Sequence, residues 1–387
     1  MLPISQSMQE LPEPPAEALA HSQRLSARIR AEIAAQGGAI GFERYMELAL
    51  YAPGLGYYSA GARKFGAGGD FVTAPELSPL FAHCLALQCV EVLTALGGGD
   101  ILELGAGSGR MAADMLAELQ RLDALPRRYL ILEVSAELRE RQRHTLVERV
   151  PALLEKVQWL ERLPEAFSGV IVGNEVLDAL PVSRFQRTVQ GFDEFSVAVK
   201  DEGFTWRLRP AHADLQAALE ALESTLPERL VEEYRSEICL RLPAFLYSLA
   251  DTLARGALLF MDYGYTRAAY YHPDRYMGTL MCHYRQRVHD DPFLYPGLQD
   301  ITAHMDFTAV AQAGTAAGLE FVGYTTQAHF LLALGLVEQA TDWRRAREVK
   351  LLSLPEEMGE RFQAMAFLKG LDLPLRGFRL RDLSHTL

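Results

Sequence analysis

The chain is predicted to be an α/β protein built on a Rossmann-like, mostly parallel sheet, and three observations predict it. From residue 100 to residue 172, short apolar runs of strand length alternate with amphipathic helical segments. That is the pattern of βαβ units, whose right-handed crossovers leave a ligand crevice at the carboxyl ends of the strands. The first run, Asp100-Ile101-Leu102, passes through Glu103-Leu104-Gly105-Ala106-Gly107-Ser108-Gly109 into a helical Met111-Ala112-Ala113-Asp114-Met115-Leu116. Finally, 387 residues at 49% hydrophobic suffice for one large core with insertions or for two modest domains, at the usual ~100–200 residues per domain.

Residues 1–20, rich in Pro and Glu, read as a flexible arm, and 21–96 as an N-terminal helical and loop region. Within it, Ser22 to Ala35 has helical spacing that ends at Gly37-Gly38, and Phe42 to Tyr51 is a second amphipathic helix. A Gly-rich aromatic loop follows from Ala52 to Glu76, and ordered loops of that length are often functional. The first part of the core, 97–184, contains strand Ile101–Leu104, a helix to Leu122, strand Tyr129–Val134, a helix from Ala136 to Val150, and strands Val157–Leu160 and Val170–Val172. Residues 185–255 read as an insertion, with short alternating strands Phe185–Val189, Phe195–Val199 and Phe204–Leu208 and helices Ala213–Leu226 and Leu242–Leu253. A core strand returns at 256–264 and ends in Asp262-Tyr263-Gly264. A loop-rich insertion occupies 265–306, and 307–387 closes the core with strands near Phe321–Thr325 and Phe362–Leu368.

The formal charge of -12 argues against a surface that tracks nucleic-acid phosphates. Cys84, Cys89, Cys239 and Cys282 form no CxxC pair and no zinc-like spacing, so they read as reduced and structural, which favours the cytoplasm. No run approaches the 18 or more uninterrupted apolar residues of a membrane span, and neither a signal nor a transit peptide is apparent.

In the G-x-G-x-G loop, Gly105 permits the tight turn, Gly107 lets a ligand approach bare backbone, and Gly109 lets the helix start close to the sheet. A dinucleotide fingerprint would continue with Gly or Ala at position 110, but Arg stands there. S-adenosylmethionine (AdoMet), which has no phosphate, is therefore the better candidate cofactor. An ordinary tight βα turn is the alternative. Glu133 ends the second strand 28 residues after Gly105, where an acidic residue would accept the hydrogen bonds of a ribose diol; an exposed glutamate opening a helix is the alternative there.

Asn174, Glu175 and Asp178 follow a buried strand at the mouth of the crevice, either as chemistry-bearing groups or as a helix cap and a turn residue. The segment has no Asn-Pro-Pro-Tyr motif for amino-group methylation of nucleic acids and no Pro-Cys nucleophile, which leaves carboxylates. Glu175 paired with Asp178 or Glu76 could orient and polarise an arginine, whose planar fork of donors suits charge-assisted bonds of roughly 1.5–3 kcal/mol each. The first loop adds Asp70, Thr73 and Glu76, with Thr73 or Ser78 as a helix cap. The second insertion holds His283, His289, Asp290, Asp291, Asp300, His304 and Asp306, but their spacings fit no compact ligand pattern, so no metal is assigned.

Four segments in this order resemble the MidA-like family of class I AdoMet-dependent methyltransferases over nearly the whole chain: GDFVTAPELS (Gly69–Ser78), ELGAGSG (Glu103–Gly109), GNEVLDALPV (Gly173–Val182) and PGLQDITAHMDF (Pro296–Phe307). The resemblance implies a seven-stranded, mostly parallel sheet whose last strand pair is antiparallel. It also implies the AdoMet methionine end over Gly105–Gly109 and the ribose on Glu133, within a candidate cofactor set of Glu103, Gly105, Ala106, Gly107, Ser108, Gly109, Glu133, Val134, Asn174, Asp70 and Thr73. The acceptor would lie near Asn174-Glu175, with Asp178 and Glu76 as further catalytic candidates. Mitochondrial members are protein arginine methyltransferases acting in respiratory complex I assembly, so a protein substrate such as a respiratory complex subunit is the implied partner. That branch carries His-Glu-Phe where this chain has Asn174-Glu175-Val176. Rival readings are an AdoMet-binding assembly factor with little turnover, a small-molecule methyltransferase and an NAD-dependent oxidoreductase.

Overall fold

A computed structural model describes residues 11–59 and 73–387. Most of the expected arm, and Asp70 with the Gly-rich part of the first loop, lie outside the described residues. Helix α1 (Ala16–Ala35) starts directly after Pro15, so the helical region begins inside the expected arm, and Gly37 and Gly38 end it at φ 79° and 96°. A two-residue strand β1 (Ile40–Gly41) leads into α2 (Phe42–Tyr51), as the spacing predicts. A short α3 (Ala74–Leu77) precedes α4 (Pro79–Leu96), which Ser78 caps by accepting the Leu80 N–H at 3.1 Å. Thr73, the other candidate cap, makes no such bond.

The core alternates as expected: β2 (Asp100–Leu104), α5 (Arg110–Arg121), β3 (Tyr129–Leu132), α6 (Ala136–Arg149), β4 (Val157–Leu160) and β5 (Phe167–Asn174). Strand β5 is longer than its apolar run because Gly169 and Gly173 lie inside it. A Cβ at Gly169, where φ is 151°, would stand 1.8 Å from the Asp100 carbonyl oxygen, and one at Gly173 would stand 2.9 Å from the Phe260 ring. These glycines are there for close packing, which local sequence cannot show.

In the first insertion, β6 (Ser183–Thr188), β7 (Gly191–Lys200), β8 (Gly203–Pro210) and β9 (Arg235–Ile238) build an antiparallel sheet in the order β1-β7-β6-β9, with β8 on the other side of β7. Helices α7 (Ala213–Ser224) and α8 (Leu242–Thr252) lie beside it in sequence. Strand β10 (Leu253–Tyr265) returns the chain to the core, followed by α9 (Arg267–Tyr270). The second insertion is more ordered than a loop: β11 (Met281–Tyr284), β12 (Arg287–His289) and β13 (Asp300–Thr302) form a sheet in the order β12-β11-β13. The closing region adds β14 (Met305–Asp306), α10 (Phe307–Ala316), β15 (Glu320–Thr326), α11 (Gln327–Ala333), α12 (Trp343–Ser353) and β16 (Phe362–Lys369).

Among the described residues, the central sheet is mixed and has eight strands. Seven run in the order β15-β16-β10-β5-β2-β3-β4, and the stub β14 pairs with the end of β10. Neighbours from β4 to β10 are parallel, and β16 is antiparallel to both β10 and β15. One face packs on α4, α5 and α11 through residues such as Phe81, Leu116 and Phe330; the other packs on α8 and α10 through Leu246, Phe260 and Phe307. Helix α4 is long and apolar enough to cross a bilayer by length and composition, but 56% of its apolar window is buried inside the fold, the burial of a core helix. The site therefore stands on strands fixed from both faces.

Gly169→Ala should force β2 and β5 apart at their shared edge. A loss of roughly 3 kcal/mol or more is expected, visible in calorimetry as a fall in Tm of several degrees.

Candidate active site

The carboxyl ends of β2, β3, β5 and β10 meet at a cavity of about 410 Å³. Of the cofactor candidates, Thr73, Glu103, Gly105, Ala106, Gly107, Ser108, Glu133, Val134 and Asn174 line it, and so do Glu76, Glu175 and Asp178. Gly109 does not. All three loop glycines have positive φ (61°, 53° and 82° for Gly105, Gly107 and Gly109), where a side chain is strained. A Cβ on Gly109 would lie 2.9 Å from Gln142 Cα. That glycine thus lets α5 start against α6, and not against the sheet as expected.

Gln142 was not singled out from sequence, yet it organises this side of the site. Its Nε2 donates to the Gly107 carbonyl at 3.1 Å and to Glu133 Oε2 at 3.0 Å, while its Oε1 accepts from the Trp159 indole at 2.9 Å. Glu133 Oε1 accepts the Ser135 N–H at 2.9 Å, so the buried carboxylate is fixed before any ligand arrives. It still belongs to the cavity wall, which the exposed-glutamate alternative does not explain. Val134 beside it is 65% exposed, an apolar face turned to the opening. Beneath the loop, Glu103 accepts the Tyr129 hydroxyl at 2.6 Å, and burial pushes its carboxyl up to about 7.

Glu76 is engaged differently from the pairing with Glu175 read from sequence. Its carboxylate accepts the Ser108 hydroxyl, its backbone oxygen accepts from Arg110 Nη1 at 2.9 Å, and Arg110 lies 3.7 Å from its carboxylate. Glu76 and Arg110 therefore lock α3 to the glycine loop. The residue that spoils a dinucleotide fingerprint is a clasp.

Asn174 is not a helix cap, since a turn and not a helix follows it. The turn is arranged around Asp262 near the end of β10, which the sequence marks as part of a strand end but not as part of the site. Asp262 Oδ2 accepts the N–H groups of Val176, Leu177 and Asp178 at 3.0, 2.7 and 3.4 Å, and Oδ1 accepts that of Tyr263 at 2.9 Å. Glu175 sits at φ 51° and donates its N–H to the Met261 carbonyl at 2.9 Å. Asn174 Nδ2 donates to Glu175 Oε1 at 3.1 Å, which leaves Asn174 Oδ1 buried without a partner.

Burial, then the charges of Asp262 and Asp300, pushes the Glu175 carboxyl up to about 8. Asp178 is raised well above the usual range by burial and by Asp262, Glu175 and Asp300; burial raises Asp262 to about 7. Burial and mutual repulsion thus favour the protonated form of Glu175 and Asp178, and a nearby cation would favour the ionised one.

The second insertion supplies His283 and Asp300, opposite one another across β11 and β13, and both line the cavity. Burial and the neighbouring His289 push the His283 imidazole down to about 4. His304 is stacked on Tyr265, with ring centroids 5.3 Å apart, and Asp306 caps α10 and pairs with Arg267 at 2.9 Å. Among the described residues, no group of three or more His, Cys, Asp or Glu is arranged to hold a metal ion.

A protein-family model for S-adenosyl-L-methionine-dependent methyltransferases matches residues 84–325. The mitochondrial protein arginine methyltransferase NDUFAF7 of Danio rerio is 30% identical over 383 residues, covering 88% of this chain and 86% of the relative; the Homo sapiens protein of the same name is 28% identical over 378 residues, covering 86% and 80%. A crystal structure of a Burkholderia thailandensis protein bound to S-adenosyl-homocysteine is 47% identical and superposes with a TM-score of 0.92, over 98% of this chain and 100% of that one.

The raised Glu175 carboxyl links stability to pH. Its folded value, about 8, lies above the ordinary 4.5, so its contribution is complete below pH ~4.5 and is lost as pH rises through ~8. Glu175→Gln cannot ionise, and its Tm relative to wild type should climb by a few degrees between pH 5 and 9. Parallel Tm profiles would disprove the assignment.

Proposed function

The chain belongs to the S-adenosyl-L-methionine-dependent methyltransferase family, and on that premise we propose that it methylates arginine on a protein substrate. One observation carries the acceptor. Six carboxyl residues line the cavity, namely Glu76, Glu103, Glu133, Glu175, Asp178 and Asp300, and among the described lining residues there is no lysine or arginine. Such a wall attracts a cation and repels a pyrophosphate, which counts against the oxidoreductase reading. The NDUFAF7 relatives are named protein arginine methyltransferases, which supports the same acceptor.

The residues fit AdoMet. Bare backbone at Gly105 and Gly107 leaves room for a ligand; the pre-held Glu133 carboxylate suits a ribose diol, Val134 an adenine face, and the unpartnered Asn174 Oδ1 a donor of either reactant. We read the seven main strands as the class I methyltransferase sheet, with β14 as an addition. The insertions at 185–255 and 265–306 would cover the crevice and grip the substrate protein. The four cysteines are free thiols, which supports a reducing, cytoplasmic setting.

When bound, AdoMet supplies an electrophilic methyl group. Glu175 and its neighbours orient the guanidinium so that a nitrogen lone pair faces that carbon. As the cation enters, Glu175 gives its proton to solvent and becomes the carboxylate that holds it. Transfer of the methyl group to nitrogen would leave S-adenosylhomocysteine and require the nitrogen to lose one proton, and the Glu175 carboxylate held against the guanidinium is placed to accept it.

Calorimetry should show binding of AdoMet but not of NAD, with AdoMet binding lost in Gly107→Val. Glu175→Gln should bind AdoMet within about threefold of wild type yet transfer tritiated methyl to arginine at least ~100-fold more slowly. Unchanged transfer would remove Glu175 from this role, and tight AdoMet binding without any transfer by wild type would favour the assembly-factor reading.

A further inference from the structure

Gln142 does not line the cavity, yet it bonds two groups that do. It stands in the middle of α6, fully buried, with the Gly109 backbone packed closely against it. A side-chain amide has two N–H donors and one carbonyl acceptor, whereas an indole can only donate. The Trp159 indole on β4 therefore has to meet Oε1. That choice turns Nε2 toward the Gly107 carbonyl and Glu133 Oε2, where both of its protons are used. The reverse orientation would set donor against donor at Trp159 and acceptor against acceptor at the other two contacts. Three partners thus fix one amide in one orientation.

The glycine loop has other holds. Thr145 Oγ1, three residues further along α6, donates to the Ser108 carbonyl at 2.7 Å, and the Glu76 carboxylate accepts the Ser108 hydroxyl. The Glu133 carboxylate is gripped by α6 at both oxygens: the N–H of Ser135, which caps the helix, donates to Oε1, and Gln142 donates to Oε2. With a bond on each oxygen, the carboxylate cannot turn without breaking at least one. We propose that Gln142, oriented by Trp159, is a positioning residue for the cofactor ribose, holding the Glu133 carboxylate at the angle from which it accepts the diol. This rests on the ribose role given to Glu133 above. Because Gln142 acts through Glu133, its loss should weaken most the ligand that carries the diol, while Thr145 and Glu76 still hold the loop.

The test titrates the full chain calorimetrically with S-adenosylhomocysteine and with its 2′,3′-dideoxy analogue, and reads the ratio of the two dissociation constants. Wild type should favour S-adenosylhomocysteine by ~30-fold or more, the worth of hydrogen bonds to a charged acceptor. In Gln142→Met, which fills the space but donates nothing, that ratio should fall at least ~fivefold. An unchanged ratio, with both ligands weakened alike or neither weakened, is what a merely structural role would give; it overturns the positioning role but not the ribose reading. A wild type that does not discriminate overturns both. Should Gln142→Met fail to fold, Trp159→Phe decides, because it removes the indole donor and frees the amide to turn. A twofold or greater fall of the ratio in that variant supports the positioning role, and an unchanged ratio overturns it.

Discussion

The site depends on the Asp262 carboxylate. It lies near the end of β10 and accepts four N–H groups, three of them from the turn that follows the neighbouring strand β5. Buried backbone donors must find partners, and here one side chain satisfies the segment that carries Glu175 and Asp178. With the donors fixed, Glu175 is held in a left-handed conformation that an unrestrained glutamate seldom adopts. The strain and the acidic crowding have a common origin in the approach of two parallel strands, β10 carrying Asp262 near its end and β5 followed directly by Glu175.

The central sheet makes that approach dependable. Strands β5 and β10 pair in register from Gly256 with Gly169 to Met261 with Asn174, so Asp262 falls next to the turn. Glycines at the far edge allow the strands to pack where side chains would collide. The cofactor side is fixed in a different way, by a polar relay from Trp159 through Gln142 to Glu133 and the Gly107 carbonyl. Both halves are thus prepared by groups that need touch neither reactant.

Much of this was legible in the sequence wherever a residue's role is local. The glycine loop, the strand-helix alternation and the acids after β5 are written in consecutive residues, and the structure brings them to one cavity. What stayed hidden depends on partners far along the chain. Asp262 looks like an ordinary strand end until its donors, 84–86 positions away, are seen. Asp300 reads as one of many polar residues in a loop until β13 carries it to Tyr58, 242 positions away. Gln142 lies on the face of a helix that has no apolar periodicity to mark it. Glu76 was drawn to Glu175 on chemical type alone, and the clasp with Arg110 could not be read from spacing.

The indole at the end of the polar relay gives the protein a natural optical probe. Of its three tryptophans, Trp343 is 72% exposed on α12, and Trp206 is packed among Phe42, Phe195 and Phe293. Trp159 alone is wired to the glycine loop, with Arg143 over its ring at 5.2 Å. A ligand that shifts the Gly107 carbonyl or the Glu133 carboxylate must disturb the hydrogen bond on that indole and its cationic neighbour, so the emission of a single ring records, without a label, whether the crevice is filled.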